Sequence, residues 1–129
     1  MQPEIPMLIL MVAMGGALGA WARYHVAGWI YNRAGAEFPW GTLTVNVAGS
    51  FLLGILLPPL VSSPAMTPGR AFVEVGCIGA FTTFSTFAFE AVTLIEAGQP
   101  RRAALYVLAS LGLGLGAIVL GLLIAARIP

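Results

Sequence analysis

Four long apolar runs, separated by short polar breaks, account for almost the whole chain. The runs cover residues 6–31, 40–61, 70–97 and 101–126. Each supplies the ~20 apolar residues that a helix needs to cross a bilayer core, so the pattern predicts four transmembrane helices. The connections Asn32–Pro39, Ser62–Pro68 and Gly98–Pro100 are rich in Gly, Pro and Ser. They are too short to hold a soluble domain, which leaves one four-helix transmembrane domain over residues 1–129. The first run lacks a preceding basic cluster and is too long for a secretory leader, so it is expected to stay as a helix. The fold class expected is an all-α membrane protein.

The third run is the irregular one. Gly76 and Gly79 stand three residues apart and are followed by Thr82 and Thr83. Glycine costs about 1 kcal/mol against alanine in a helix interior. Threonine hydroxyls compete for backbone carbonyls. The helix is therefore expected to loosen near Gly79–Thr82 and to resume at Phe84. Irregular backbone at membrane depth is tolerated only inside protein or along a watery cavity, and freed carbonyls there can hold a cation. Beyond the break, Phe84 and Phe87 share a helix face, with Ser85 and Thr86 between them. On spacing alone a Gly-kinked packing helix accounts for the stretch equally well.

Composition agrees with membrane residence. Of 129 residues, 59% are hydrophobic and 9% charged, against about 25% charged in ordinary domains. All six cations are arginine and all five acids glutamate. A net charge of +1 gives no basic patch for nucleic acid. The single Cys77 forms no intrachain disulfide and supplies no metal set. With no nucleophile–base pair or metal-ligand spacing in view, the chain is expected not to be an enzyme.

The polar residues within the runs are few. The first helix carries a Gly15–Gly19 pair that allows close backbone approach. It also carries Arg23, about 12 Å from the helix end at 1.5 Å per residue. Arg23 is read either as an interfacial anchor beside Trp21, Trp29, Tyr31 and Trp40 or as a cationic vestibule that draws in anions. His25 reads as interfacial. On the second helix Thr42, Asn46, Gly49 and Ser50 share a face, as interhelical glue or as a donor stripe. The fourth helix adds Tyr106 and Ser110, with Gly112, Gly114, Gly116 and Gly121 read as packing positions. Carboxylates at depth are limited to Glu74 and Glu90. Neutral donors and aromatic ring edges suit a permeant anion, whereas a cation path calls for acidic or carbonyl rings.

Which anion comes from resemblance. The first-helix pattern Gly16-x-x-Gly19-Ala20-x-x-Arg23-Tyr24 is followed by Gly41-Thr42-Leu43-x-Val45-Asn46-x-x-Gly49-x-Phe51-x-x-Gly54. The third helix then reads Gly79-x-Phe81-Thr82-Thr83-Phe84-Ser85-Thr86-Phe87. In order and across all four helices, the chain resembles the Fluc (CrcB) fluoride channel family. The resemblance implies an antiparallel, dual-topology homodimer with two fluoride pores. It implies export of fluoride across the bacterial inner plasma membrane, in a multi-pass protein, which lowers fluoride toxicity. A structural, non-transported sodium ion at the dimer centre would be held by the backbone carbonyls of Gly79 and Thr82. The pore would use Asn46, Phe84 and Phe87, with Ser85 and Thr86 beside them and a fourth-helix track of Tyr106 and Ser110. Arg23 would stand in the vestibule and Glu90 would play an ancillary part. Gly114 replaces a hydroxyl that some members carry on that track.

Charge allows dual insertion. With four helices, Arg70 and Arg127 share one side, while Arg33, Arg101 and Arg102 lie on the other, so the arginine bias that sets orientation is slight. A small multidrug/proton exchanger has similar length, but it needs a carboxylate in its first helix, and Glu4 precedes that helix here. A non-transporting packing subunit explains the glycines without explaining Asn46, the Phe pair and the broken third helix together.

Overall fold

The computed structural model describes residues 4–62 and 65–127; Ser63 and Pro64 of the second connection lie outside them. Every regular element among the described residues is helical. Helix α1 spans Glu4–Ala34 and α2 spans Trp40–Ser62. A short turn, α3 (Pro68–Arg70), leads into a π-helical segment, Ala71–Ile78, and then into α4 (Gly79–Phe81). Helix α5 covers Phe84–Glu96 and α6 covers Pro100–Ala125. Four stretches are long and apolar enough to cross a membrane: Ile5–Ala34, Trp40–Pro58, Pro68–Glu96 and Pro100–Ala125.

Local chemistry explains the ends. Gly35 and Gly98 take positive φ of 81° and 72° after α1 and α5, the left-handed exit that glycine makes without steric cost. Proline opens α6, where its missing N–H is no loss. The Thr67 hydroxyl accepts from the backbone N–H of Arg70 and caps α3. Arg102, in the first turn of α6, pairs with Glu37 at 3.1 Å and ties the first connection to that helix.

Backbones meet closely where Gly41 of α2 lies against Ala27 of α1, and along two longer seams. Along the first, α1 lies on the π segment: a Cβ at Gly15 would strike the Phe72 carbonyl, and one at Gly19 the Cys77 carbonyl. Gly76 completes that seam, with Gly15 Cα 2.8 Å from where its own Cβ would stand. Along the second, α2 lies on α6, with Gly54 against the Ile118 backbone and Gly121 against that of Phe51. Such small-residue contacts are how membrane helices gain packing without a hydrophobic drive. Gly112 and Gly116 do not share this role, since nothing lies within 4 Å of a Cβ built there. Gly114 meets only the Ser50 hydroxyl, at 3.7 Å. Gly112 and Gly116 are therefore corrected from packing positions within the chain to open ones, whereas Gly114 stays in ordinary contact with Ser50 of α2.

Little of the chain is fully buried: Val45 and Tyr106 are the largest such side chains, while Trp21, Phe84, Phe89 and Leu108 stand exposed. An apolar exterior of this kind is expected where lipid or another chain supplies the cover.

Candidate functional site

The third span changes backbone geometry at two residues. Gly79 is helical, with φ −59° and ψ −39°. Thr82 (φ −81°, ψ 159°) and Thr83 (φ −151°, ψ 117°) are extended. Two side chains hold them so. Asn46 on α2 bridges to the backbone of Thr83: its Nδ2 donates to the Thr83 carbonyl at 3.0 Å, and its Oδ1 accepts from the Thr83 N–H at 2.7 Å. This is the pairing that a neighbouring β-strand would offer an extended residue, supplied here by one amide. The Thr83 hydroxyl in turn accepts from the Thr86 N–H at 3.2 Å and caps α5.

Those bonds have a consequence for two carbonyls. In an α-helix the Gly79 carbonyl would accept from Thr83 N–H and that of Thr82 from Thr86 N–H. Both amides are instead given to side chains, Asn46 and the Thr83 hydroxyl. Gly79 and Thr82 thus present oxygens without their helical partners, although the Thr82 carbonyl also receives Arg23 Nη1 at 3.4 Å. Uncharged, hard oxygen donors of this kind fit an alkali cation.

A cavity of about 390 Å³ opens beside the interruption. It brings together Asn46, Ser110, Phe84, Phe87, Gly79 and Thr82 from the sequence-derived set. The Phe84 and Phe87 rings lie 5.7 Å apart at 44°, and Phe87 is 5.2 Å from the Tyr106 ring. Phe84 is 79% exposed in the single chain, whereas Tyr106 is fully buried. The Ser110 hydroxyl oxygen is buried without a hydrogen-bond partner among the described residues.

Arg23, Thr86 and Glu90 fall elsewhere, in a second cavity of about 570 Å³ between α1, α2 and α5. Thr83 borders both cavities. Glu90 is held from two sides: Thr42 Oγ1 donates to one carboxylate oxygen at 2.9 Å and the Tyr106 phenol to the other at 2.7 Å. Tyr106 therefore lines neither cavity and spends its hydroxyl on Glu90. Ser85 is exposed, lines neither cavity, and touches the Thr83 hydroxyl at 3.3 Å. His25 donates to or accepts from nothing in either cavity; its Nδ1 meets the Trp21 carbonyl at 2.9 Å.

Two contributors stand out in the sequence without the roles the structure gives them. Thr83 is the pivot of the interruption, and its signal was the Thr83-x-x-Thr86 spacing of a helix N-cap. Thr42 was assigned to the α2 donor stripe with Asn46, but its bond to Glu90, 48 positions away, carries no local signal.

Comparison with known proteins completes the description. A family model described as CrcB-like protein, Camphor Resistance (CrcB), matches residues 10–122. A "Fluoride-specific ion channel FluC" of Acidobacterium capsulatum is 47% identical over 123 residues, covering 95% of this chain and 98% of that protein. A protein of the same name from Rhizobium meliloti is 46% identical over 115 residues, 88% of this chain and 92% of its own. A third, from Thermus thermophilus, is 44% identical over 112 residues, 87% of this chain and 88% of its own.

Proposed function

The chain belongs to the CrcB-like protein family, and from that premise we propose that it is a channel that exports fluoride from the bacterial cytoplasm. The observation that carries the proposal is the 44–47% identity to proteins named as fluoride-specific channels, over nearly the full length of each. It is a multi-pass membrane protein and a channel rather than an enzyme. The chemistry of the first cavity supports the ion: an amide, a hydroxyl and two phenylalanine edges converge there. These are weak, neutral sites that an anion can both enter and leave.

In this reading fluoride passes Asn46, Phe84, Phe87 and Ser110, with Ser85 and Thr86 at the margin and Arg23 concentrating anions in the second cavity. Tyr106 acts through its ring against Phe87 and through Glu90, which it fixes together with Thr42. Fluoride efflux from liposomes holding the purified protein tests the function directly. An efflux no faster than from empty liposomes overturns it. Phe84→Ala and Phe87→Ala are each expected to slow efflux per folded protein by tenfold or more while leaving the protein assembled. Wild-type flux in both variants would reduce the ring pair to packing.

The working unit proposed is an antiparallel homodimer in the bacterial inner membrane, with the interruption at Thr82–Thr83 at mid-membrane. Support comes from the exposed Phe84 ring, the open side of the first cavity and the slight arginine bias. At the dimer centre, sodium would be held by the Gly79 and Thr82 carbonyls of both copies. When bound, sodium supplies a positive charge that satisfies carbonyl oxygens which the membrane cannot.

Because the ligands are backbone atoms, Thr82→Ser is expected to keep sodium-dependent assembly. Gly79→Val tests the second copy: within one chain a Cβ there meets only the Glu74 carbonyl, at 3.9 Å, so the added bulk is expected to crowd a partner copy more than its own chain. Loss of the dimer in Gly79→Val, and weakening of the wild-type dimer when a large organic cation replaces sodium, are the expected results. Normal dimerisation of Gly79→Val would place the subunit contact elsewhere.

A further inference from the structure

One charged side chain sits among the described residues that line the first cavity: Glu74, on the π segment. An acid there is out of keeping with an anion path, and neither the ring pair nor the released carbonyls need it. Its charge is met by Arg70, one turn earlier, whose Nε lies 3.2 Å from both carboxylate oxygens. The pair is largely covered, with side-chain exposures of 17% and 10%. Arg70 is also pinned from the loop side, through Nη1 to the Ala65 carbonyl at 2.9 Å and through the Thr67 cap on its backbone N–H. A surface ion pair with mobile partners contributes little, but this one is largely covered, is anchored at one end by Ala65 and Thr67, and at the other belongs to a residue that lines the cavity.

We propose that Arg70 is a positioning residue for conduction: by holding Glu74 in a neutral pair, it keeps one end of the fluoride path from repelling the anion. The inference rests on the channel reading above. Glu74 lies six residues into the span, less than two turns from its start, where a pathway would meet water. An uncompensated unit charge about 10 Å from an anion at an effective dielectric of about 20 lowers its occupancy on the order of tenfold. With Arg70 in place the two fields nearly cancel. Tuning conduction by a charge pair rather than by a neutral side chain makes the path sensitive to either partner alone, but not to loss of both.

The test is fluoride efflux from liposomes for wild type, Arg70→Gln, Glu74→Gln and the double variant. Each is checked for monodisperse assembly and assayed at low and high concentrations of an impermeant salt with sodium held constant. Arg70→Gln is expected to slow efflux about tenfold at low salt and by less at high salt, because screening shortens the reach of the uncompensated carboxylate. Adding Glu74→Gln is expected to return the rate to within about twofold of wild type, since the offending charge is gone. Glu74→Gln alone is not slower than wild type. A double variant as slow as Arg70→Gln, or a deficit indifferent to salt, would show that Arg70 serves the fold and overturn the proposal. Wild-type rates in Arg70→Gln would do so as well. Failure of wild type itself to pass fluoride would instead overturn the channel reading on which the proposal rests.

Discussion

Gly19→Ala is expected to prevent recovery of assembled protein, while Gly16→Ala three residues earlier leaves it intact. The two substitutions add the same methyl group to the same helix. At Gly19 that methyl falls on the Cys77 carbonyl oxygen, with the Cys77 carbonyl carbon 2.9 Å away and its Cα 3.0 Å away. At Gly16 it meets nothing within 4 Å. Because the obstacle is backbone, no rotamer change relieves it, and α1 must separate from the π segment along its length. Overpacking that side chains can absorb costs about 1–3 kcal/mol; a helix seam that must part loses the close contacts that hold membrane helices together. Alanine is otherwise the better helix former by about 1 kcal/mol, so propensity pulls against the expected result in both variants. Size-exclusion profiles after heating in detergent read the difference. Equal profiles for the two variants would mean that α1 does not dock on the π segment through Gly19.

The four helices were legible because apolar run length is dictated by the bilayer, and the Gly15–Gly19 seam because only glycine permits such approach. The interruption was legible as a place but not as a mechanism. Glycine cost suggested Gly79 as the weak point, yet Gly79 is helical and the extended residues are Thr82 and Thr83. What decides this is Asn46, 37 positions from Thr83, and no local propensity reports a bond of that separation. The same holds for Tyr106, whose i, i+4 spacing with Ser110 suggested one continuous track. Its phenol donates to the half-buried Glu90, 16 residues back, a bond that the spacing on α6 does not report. The π segment had no signal in the sequence. Gly112 and Gly116 show the converse limit: glycine marks where close approach is permitted, not where it happens.

Asn46→Leu is expected to abolish fluoride flux and sodium dependence together, and the pairing of the two losses is what identifies its role. The amide makes both of its bonds to Thr83, which is 8% exposed, so leucine would leave a buried N–H and a buried carbonyl without partners. Each unsatisfied buried group costs about 1–3 kcal/mol. The chain has a cheaper course, which is to close the helix. Thr83 N–H then returns to the Gly79 carbonyl and Thr86 N–H to that of Thr82. Closure withdraws the two oxygens proposed for sodium and turns Phe84 and Phe87 away from their present face in one movement. Asn46→Asp keeps an acceptor for Thr83 N–H but sets a second oxygen against the Thr83 carbonyl, and an intramembrane carboxylate costs a further ~2.5–3.5 kcal/mol. It is expected to lower flux per folded protein at least tenfold. Flux and sodium-dependent assembly are measured on the same purified variants. Loss of flux with sodium dependence intact in Asn46→Leu would make Asn46 a donor to the ion alone. Retention of both would remove it from the path and from the interruption, and would leave Thr83 to be held by its cap on α5.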